Sequence, residues 1–373
     1  MKLTNYKKIL LNLLFKEKVY RNELINTLKI TPSSLTYILN NLKKNKYISI
    51  FQENQRIAGR PKHFVKLYKD NWKSIGVRVG RESLGLTVFN GYFEELEKIS
   101  IKLTKSDIGN ENLPKVIKKI INKISSKEDI VAVGIAFSGK IIKNKVYSNI
   151  LNLKDFEPKN IIKTLIPNAT ITIINDVEAI ATEEFVKHGG KKILVINYGT
   201  GIGACFYESH GIYEKSERKV IELGHFHAGG SERCYCGLVG CLETVASDYA
   251  NLKKYKYKNL NIKEFISNQE NYENDLNEMR NLYKSYRKKA EELYKDTFDY
   301  LAIFISNMIK LLTPEKIILS GEGVSKWFVQ NLEKKISSIS LNPISITFSG
   351  LRNNIEYGAS IDALREHILK LKF

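Results

Sequence analysis

Between Glu222 and Glu243 the chain reads E-L-G-H-F-H-A-G-G-S-E-R-C-Y-C-G-L-V-G-C-L-E, which places the thiols of Cys234, Cys236 and Cys241 and the imidazole of His225 within fewer than 20 residues. Three thiols so close cannot all pair with one another, and the Cys-X-Cys step is too tight for an unstrained bridge. The set instead fits a closed tetrahedral Cys3His zinc site of structural type. Gly237 and Gly240 let the backbone turn around an ion. His227 competes with His225 for the fourth position. Glu222 and Glu243 flank the loop, so whatever holds it also fixes two carboxylate acceptors suited to a ligand rich in hydroxyls.

The formal net charge is +19. The first 70 residues carry 15 Lys or Arg against 4 Asp or Glu, so more than half of the excess lies in less than a fifth of the chain. That concentration is the electrostatic footprint of a nucleic-acid-binding module. No run of 18 apolar residues occurs. Ile9 to Phe15 is short, interrupted by Asn12 and followed by no small-residue cleavage site, which argues against a signal peptide. Four cysteines, three of them clustered, suit a reducing cytoplasm. Cys205 sits in an apolar strand-like run and reads as core.

Apolar spacing predicts helices over Asn5–Phe15 and Arg21–Leu28 and a third from Thr31-Pro32 to about Lys44, with Thr31 as its cap. In the third, Leu35, Ile38, Leu39 and Leu42 form the buried stripe. Ser33, Ser34, Thr36, Tyr37, Asn40 and Lys44 then face outward, as the recognition helix of a helix-turn-helix requires. Strands at Tyr47–Phe51 and His63–Leu67 would form a β-hairpin wing, and its Gly59-Arg60-Pro61-Lys62 end suits a narrow minor groove, with Arg60 and Lys62 as contacts. Residues 1–70 thus read as a winged helix-turn-helix DNA-binding domain.

From about residue 74 onward strands alternate with helices, which implies an α/β architecture of two lobes within 71–373. Lobe 1 spans about 74–190 plus the C-terminal helix, and lobe 2 about 191–355 with the cysteine loop. A helix is expected over Pro114–Ser125 and a long one over Tyr286–Leu312. Asn175-Asp176 lies where a strand gives way to a helix, a place where side chains reach ligands. Gly199-Thr200-Gly201-Ile202-Gly203 reads equally as a phosphate-cradling turn or a tight hairpin.

Together Asn175-Asp176, Gly199 to Gly203, Glu222-Leu223-Gly224-His225 and the Cys234-to-Glu243 segment resemble the ROK family of repressors and sugar kinases, and the likeness runs over essentially the whole chain. The resemblance implies two actin/hexokinase-like (ribonuclease H-like) lobes and, for repressor members, an added winged helix-turn-helix. It implies that Asp176 corresponds to the kinases' catalytic base, that Asn152, Asn175, Asp176, Glu222, His225 and Glu243 contact a sugar, and that His225 rather than His227 ligates zinc beside Cys234, Cys236 and Cys241. Ser138-Gly139 stands for a Pro-Gly turn near the sugar.

One departure bears on activity. Kinases of the family carry Asp-X-Gly-Gly-Thr where this chain has Arg78-Val79-Gly80-Arg81-Glu82-Ser83. A cation replaces the Mg-linked carboxylate, and a bulky side chain replaces a glycine that must approach phosphate. Ser320-Gly321-Glu322-Gly323 resembles the adenosine-side turn with a Glu intruding. The expectation is a non-enzymatic, sugar-responsive repressor of carbohydrate-utilisation genes, a cytoplasmic homodimer or homotetramer on double-stranded operator DNA, with Asp176 vestigial. The competing expectations are an active ATP-dependent sugar kinase carrying a DNA-binding domain, and a repressor released by a protein such as a sugar transporter.

Overall fold

The computed structural model describes residues 3–53, 62–214, 216–340, 344–349 and 355–373, so Arg60 and its neighbours Gly59 and Pro61 lie outside the described residues. By internal contacts the chain divides into two units: Met1–Val186, His210–Ser216 and Ile355–Phe373 form one, and Lys187–Ser209 with Glu217–Asn354 the other.

The first unit opens with α1 (Asn5–Phe15), β1 (Val19–Tyr20), α2 (Arg21–Leu28) and α3 (Pro32–Lys44). Thr31 Oγ1 accepts the Ser34 N–H at 3.2 Å and so satisfies one of the free amides at the start of α3. Lys29, at φ 52°, turns the chain between α2 and α3. Leu35, Ile38, Leu39 and Leu42 pack with Ile9, Leu10, Leu13 and Leu14 in one core. Then β2 (Ile48–Glu53) and β3 (Lys62–Leu67) pair antiparallel, with β1 added on the other side of β3.

Next come β4 (Lys73–Val79), β5 (Ser83–Phe89), β6 (Glu95–Lys102), α4 (Leu113–Ile121), β7 (Ile130–Phe137), β8 (Lys140–Ile142), β9 (Lys145–Ser148), β10 (Leu153–Phe156), α5 (Pro158–Leu165), β11 (Thr170–Asn175) and α6 (Asp176–His188). The main sheet has the order β11-β7-β4-β5-β6, with β4, β7 and β11 parallel and β4, β5 and β6 antiparallel. The helix expected over Pro114–Ser125 starts one residue earlier and ends at Ile121.

The second unit holds β12 (Lys192–Tyr198), β13 (Ile202–Glu208), β14 (Glu217–Ile221), α7 (Leu242–Ala246), α8 (Asp248–Tyr255), α9 (Ile262–Ser267), α10 (Glu273–Ser285), α11 (Arg287–Leu293), α12 (Lys295–Leu312), β15 (Lys316–Ser320), α13 (Lys326–Ile339) and β16 (Ile346–Phe348). Its sheet order is β14-β13-β12-β15-β16. The Gly199–Gly201 stretch is a tight hairpin turn, with Tyr198 opposite Ile202. Cys205 is fully buried in β13. The long helix expected over Tyr286–Leu312 is instead two, divided at Tyr294. Packing overrides propensity here: the break delivers the buried Tyr294 ring against Phe298, Trp327 and Phe328.

Finally α14 (Ile355–Lys370) returns to the first unit and lies on β4, β7 and β11. Glycine makes this close approach possible: a Cβ on Gly76 would lie 1.7 Å from Glu356 O, and one on Gly134 1.8 Å from Ala359 O. The same helix seats α1. Lys7 Nζ donates to Leu369 O at 2.6 Å, and Tyr6 stacks on Phe373. Asn12, the polar interruption in the apolar face of α1, is buried; its amide donates to Lys8 O at 2.9 Å and to the Tyr213 hydroxyl. Tyr213 belongs to His210–Ser216, the segment between β13 and β14.

Candidate functional site

In the second unit a one-turn 3-10 helix, Leu223–His225, follows β14, and Cys241 precedes α7. Between them the backbone folds back on itself: Ala228 N–H donates to Gly240 O at 2.7 Å and Cys234 N–H to Leu238 O at 2.8 Å. Gly237 and Gly240 take φ values of 97° and 71°, the conformation that glycine adopts without steric cost. This turn gathers His225, Cys234, Cys236 and Cys241 so that their ligand atoms all lie within 4.8 Å of one another. Cys236 Sγ is 3.6 Å from Cys241 Sγ, and His225 Nδ1 is 3.7 Å from Cys234 Sγ. Tetrahedral zinc–sulfur bonds of about 2.3 Å require sulfurs roughly 3.8 Å apart, so the donor set fits such an ion. His227 is not part of this cluster; its Nδ1 lies 3.2 Å from Val239 O.

Burial pushes the Cys241 thiol up to about 11 and the Cys234 thiol higher still, while it holds the His225 imidazole below its usual value and hence neutral. A metal would therefore displace protons from the thiols and meet an imidazole already in its ligating form. Glu243, in the first turn of α7, is only 4 % exposed. Its Oε2 lies 3.5 Å from Ile202 N and from the Tyr235 hydroxyl. A Cβ on Gly224 would come within 2.5 Å of that oxygen, so glycine there admits the carboxylate. Glu222, His225 and Glu243 thus issue from one loop, with the Glu222 side chain exposed.

In the first unit β11 delivers Asn175 and Asp176 to the start of α6. The Asn175 side chain is a cap: Oδ1 accepts the Val177 N–H at 2.8 Å, Nδ2 donates to Gly139 O at 2.6 Å, and Glu178 reaches back to the Asn175 N–H at 2.9 Å. Asp176 is half-buried, and loss of solvent pushes its carboxyl up to about 6; the Ser138 hydroxyl, the Val177 amide and the Arg78 charge moderate the rise. Arg78, near the end of β4, places Nε 3.5 Å from Glu356 Oε1 and donates from Nη2 to Ser83 Oγ at 2.9 Å. Asn152 is exposed on the connection between β9 and β10, at φ 52° beside Gly109.

On α3, Ser33, Ser34, Tyr37, Asn40 and Lys44 are exposed, Tyr37 by 67 %. Thr36 is half-buried, its hydroxyl accepting from Arg21 Nη2 at 2.6 Å and donating to Pro32 O. Lys62 is exposed where β3 begins.

A further polar cluster, not legible in the sequence, lies in the second unit. Arg280 on α10 pairs with Asp248 at 2.7 Å and with Glu322 at 3.1 Å. Asp248 is fully buried. Among the described residues no helix is long and apolar enough to cross a membrane.

The chain is 27 % identical over 289 residues to a glucokinase of Halalkalibacterium halodurans, covering 69 % of this chain and 82 % of that protein. It is 24 % identical over 373 residues to the xylose repressor of Bacillus subtilis, covering 95 % and 90 %. A crystal structure of a ROK family transcriptional regulator, homologous to the E. coli MLC protein, superimposes with a TM-score of 0.72 at 18 % identity, covering 98 % of this chain and 97 % of that one. The fold is therefore a helical N-terminal module followed by a kinase-like α/β domain. The ROK family profile matches residues 74–350, and the chain belongs to that family.

Proposed function

We propose that this protein is a sugar-responsive transcriptional repressor of carbohydrate-utilisation genes that binds its effector without phosphorylating it. The observation that carries the reading is the pairing in one chain of an exposed polar α3 face on a basic module with a stapled loop of sugar-type acceptors. The near full-length match to a xylose repressor supports it. On this reading Ser33, Ser34, Thr36, Tyr37, Asn40, Lys44, Arg60 and Lys62 meet operator DNA as a homodimer or homotetramer. Asn152, Asn175, Asp176, Glu222, His225 and Glu243 contact the monosaccharide. Zinc on His225, Cys234, Cys236 and Cys241 fixes the loop and takes no part in chemistry.

Arg78 supports the loss of phosphoryl transfer, since its guanidinium brings positive charge where magnesium would need a carboxylate. Coupling between sugar and DNA requires that sugar prefer one arrangement of the protein, and by linkage DNA must then weaken sugar binding by the same factor. The hydrogen bond from Asn12 of α1 to the Tyr213 hydroxyl supports such coupling, because Tyr213 lies on the connection between β13 and β14. The test is sugar affinity, found first by a thermal-shift screen of monosaccharides, then measured with and without operator. Equal affinities remove the coupling.

A second reading, an active sugar kinase, draws on the glucokinase relative and on Asp176. Sugar-dependent ATP consumption that Asp176→Asn abolishes would establish it.

A further inference from the structure

In α/β units ligands enter beyond the carboxyl ends of parallel strands, at the starts of the helices that follow. In the second unit β12 and β15 are parallel neighbours, paired from Ile193–Lys316 to Asn197–Ser320. Their ends carry the two glycine turns, Gly199–Gly201 and Gly321–Gly323, and Ser325 caps α13 just beyond. The turns touch: a Cβ on Gly199 would lie 3.7 Å from Glu322 N and 3.8 Å from Glu322 Cβ, and Gly323 N–H donates to Tyr198 O at 3.1 Å.

The protein's own side chains bridge the two turns. Asp248 anchors to the first turn through its N–H, which donates to Gly199 O at 3.0 Å. Its carboxylate holds Arg280 Nε at 2.7 Å, and Arg280 Nη2 reaches Glu322 Oε2 on the second turn at 3.1 Å. The Arg280 side chain is 13 % exposed. The acid–arginine–acid bridge therefore spans both turns and carries one net negative charge when all three groups are ionised. One turn further along α10, Tyr283 stacks on Trp327 at the start of α13, with centroids 5.0 Å apart and planes 5° from parallel. The flat aromatic face at that helix start is already covered. A buried ion pair is a costly way to hold a fold, and apolar residues of similar size often hold it as well.

We propose that Asp248, Arg280 and Glu322, with the Tyr283–Trp327 stack, form an internal plug that excludes phosphate-bearing nucleotides from the second unit. This deepens the reading of lost phosphoryl transfer and rests on it, but assigns the exclusion to residues far in sequence from Arg78 and Arg81. Glu322 opposes phosphate directly, and Arg280 is spent on the two carboxylates.

The test is calorimetric titration of the full chain with ADP in the absence of magnesium, which needs nothing from the first unit's Arg78 and Arg81. Wild type should show no saturable binding. Glu322→Gly, which removes an exposed partner and leaves the Asp248–Arg280 pair intact, should admit ADP, and adding Arg280→Met with Asp248→Asn should tighten it by about tenfold or more. Glu322→Gln, alike in size and without charge, should bind more weakly than Glu322→Gly. Should the triple variant fail to fold, Glu322→Gly alone decides. Wild type binding ADP as well as Glu322→Gly does, or folded variants that stay silent, would overturn the plug. If wild type binds ADP yet consumes no ATP with any sugar, the plug alone fails; if it binds and turns over, the repressor-without-catalysis reading fails too.

Discussion

The two units are built on one plan and loaded differently. Each has a five-stranded sheet in which three antiparallel strands lead into two further parallel ones, in the orders β6-β5-β4-β7-β11 and β14-β13-β12-β15-β16. The β4–β5 turn of the first therefore matches the β12–β13 turn of the second. In the first, Arg78 flanks the turn and pairs with Glu356 of α14. In the second, the turn keeps its small residues, Gly199 and Gly201, and the bulk arrives from α8, α10 and the Gly321–Gly323 turn. At matching turns the charged side chains thus come from the strand itself in one unit and from helices and a second turn in the other.

The largest effect is expected at the proposed zinc site, the one Cys/His cluster among the described residues. Cys234→Ser should abolish stoichiometric zinc, measured by colorimetric release, and remove a site worth on the order of 10 kcal/mol. Melting followed by hydrogen exchange should then show residues 222–243 unprotected while α14 stays protected; protection unchanged in both would refute a structural metal. Next in size, Gly134→Ala forces a Cβ to 1.8 Å from Ala359 O and should destabilise the protein by about 3 kcal/mol or more. Gly199→Ala, with nothing nearer than 3.7 Å, should cost less than about 1 kcal/mol. Urea denaturation of both variants checks the contrast, and equal losses would sink it.

Asp176 sharpens the first unit's side. Its carboxyl is raised in the fold to about 6, so the native state binds more protons than the unfolded chain and stability falls as pH rises from about 4 to 6. Asp176→Asn should therefore stabilise the protein at pH 7 by about 2–3 kcal/mol and by much less at pH 4. A variant less stable than wild type at pH 7 would contradict that sign. The smallest effect expected is Tyr213→Phe, about 1 kcal/mol from one hydrogen bond to buried Asn12, read by the urea midpoint and by faster hydrogen exchange along α1.

Local chemistry was legible in the sequence wherever it repeats over short distances. The Thr31 cap, the Leu35–Leu42 stripe and the cysteine spacing each depend on neighbours a few positions apart, and each is found where the spacing puts it. Arg280 was not legible, because α10 is a mostly polar helix and the arginine's partners lie 32 and 42 positions away. The break at Tyr294 escaped for a related reason: its cause is an aromatic cluster assembled from two helices. Asn12 looked like a flaw in an apolar face until Tyr213, 201 positions on, supplied its partner.

The seat of α1 on α14 joins residues 362 positions apart, Lys7 and Leu369. At translation speeds of about 5–20 residues per second, the amino-terminal helices leave the ribosome on the order of half a minute before their support is made. A nascent or prematurely terminated chain would thus carry those helices with no platform beneath them, and only a polypeptide synthesised through α14 could hold them in place.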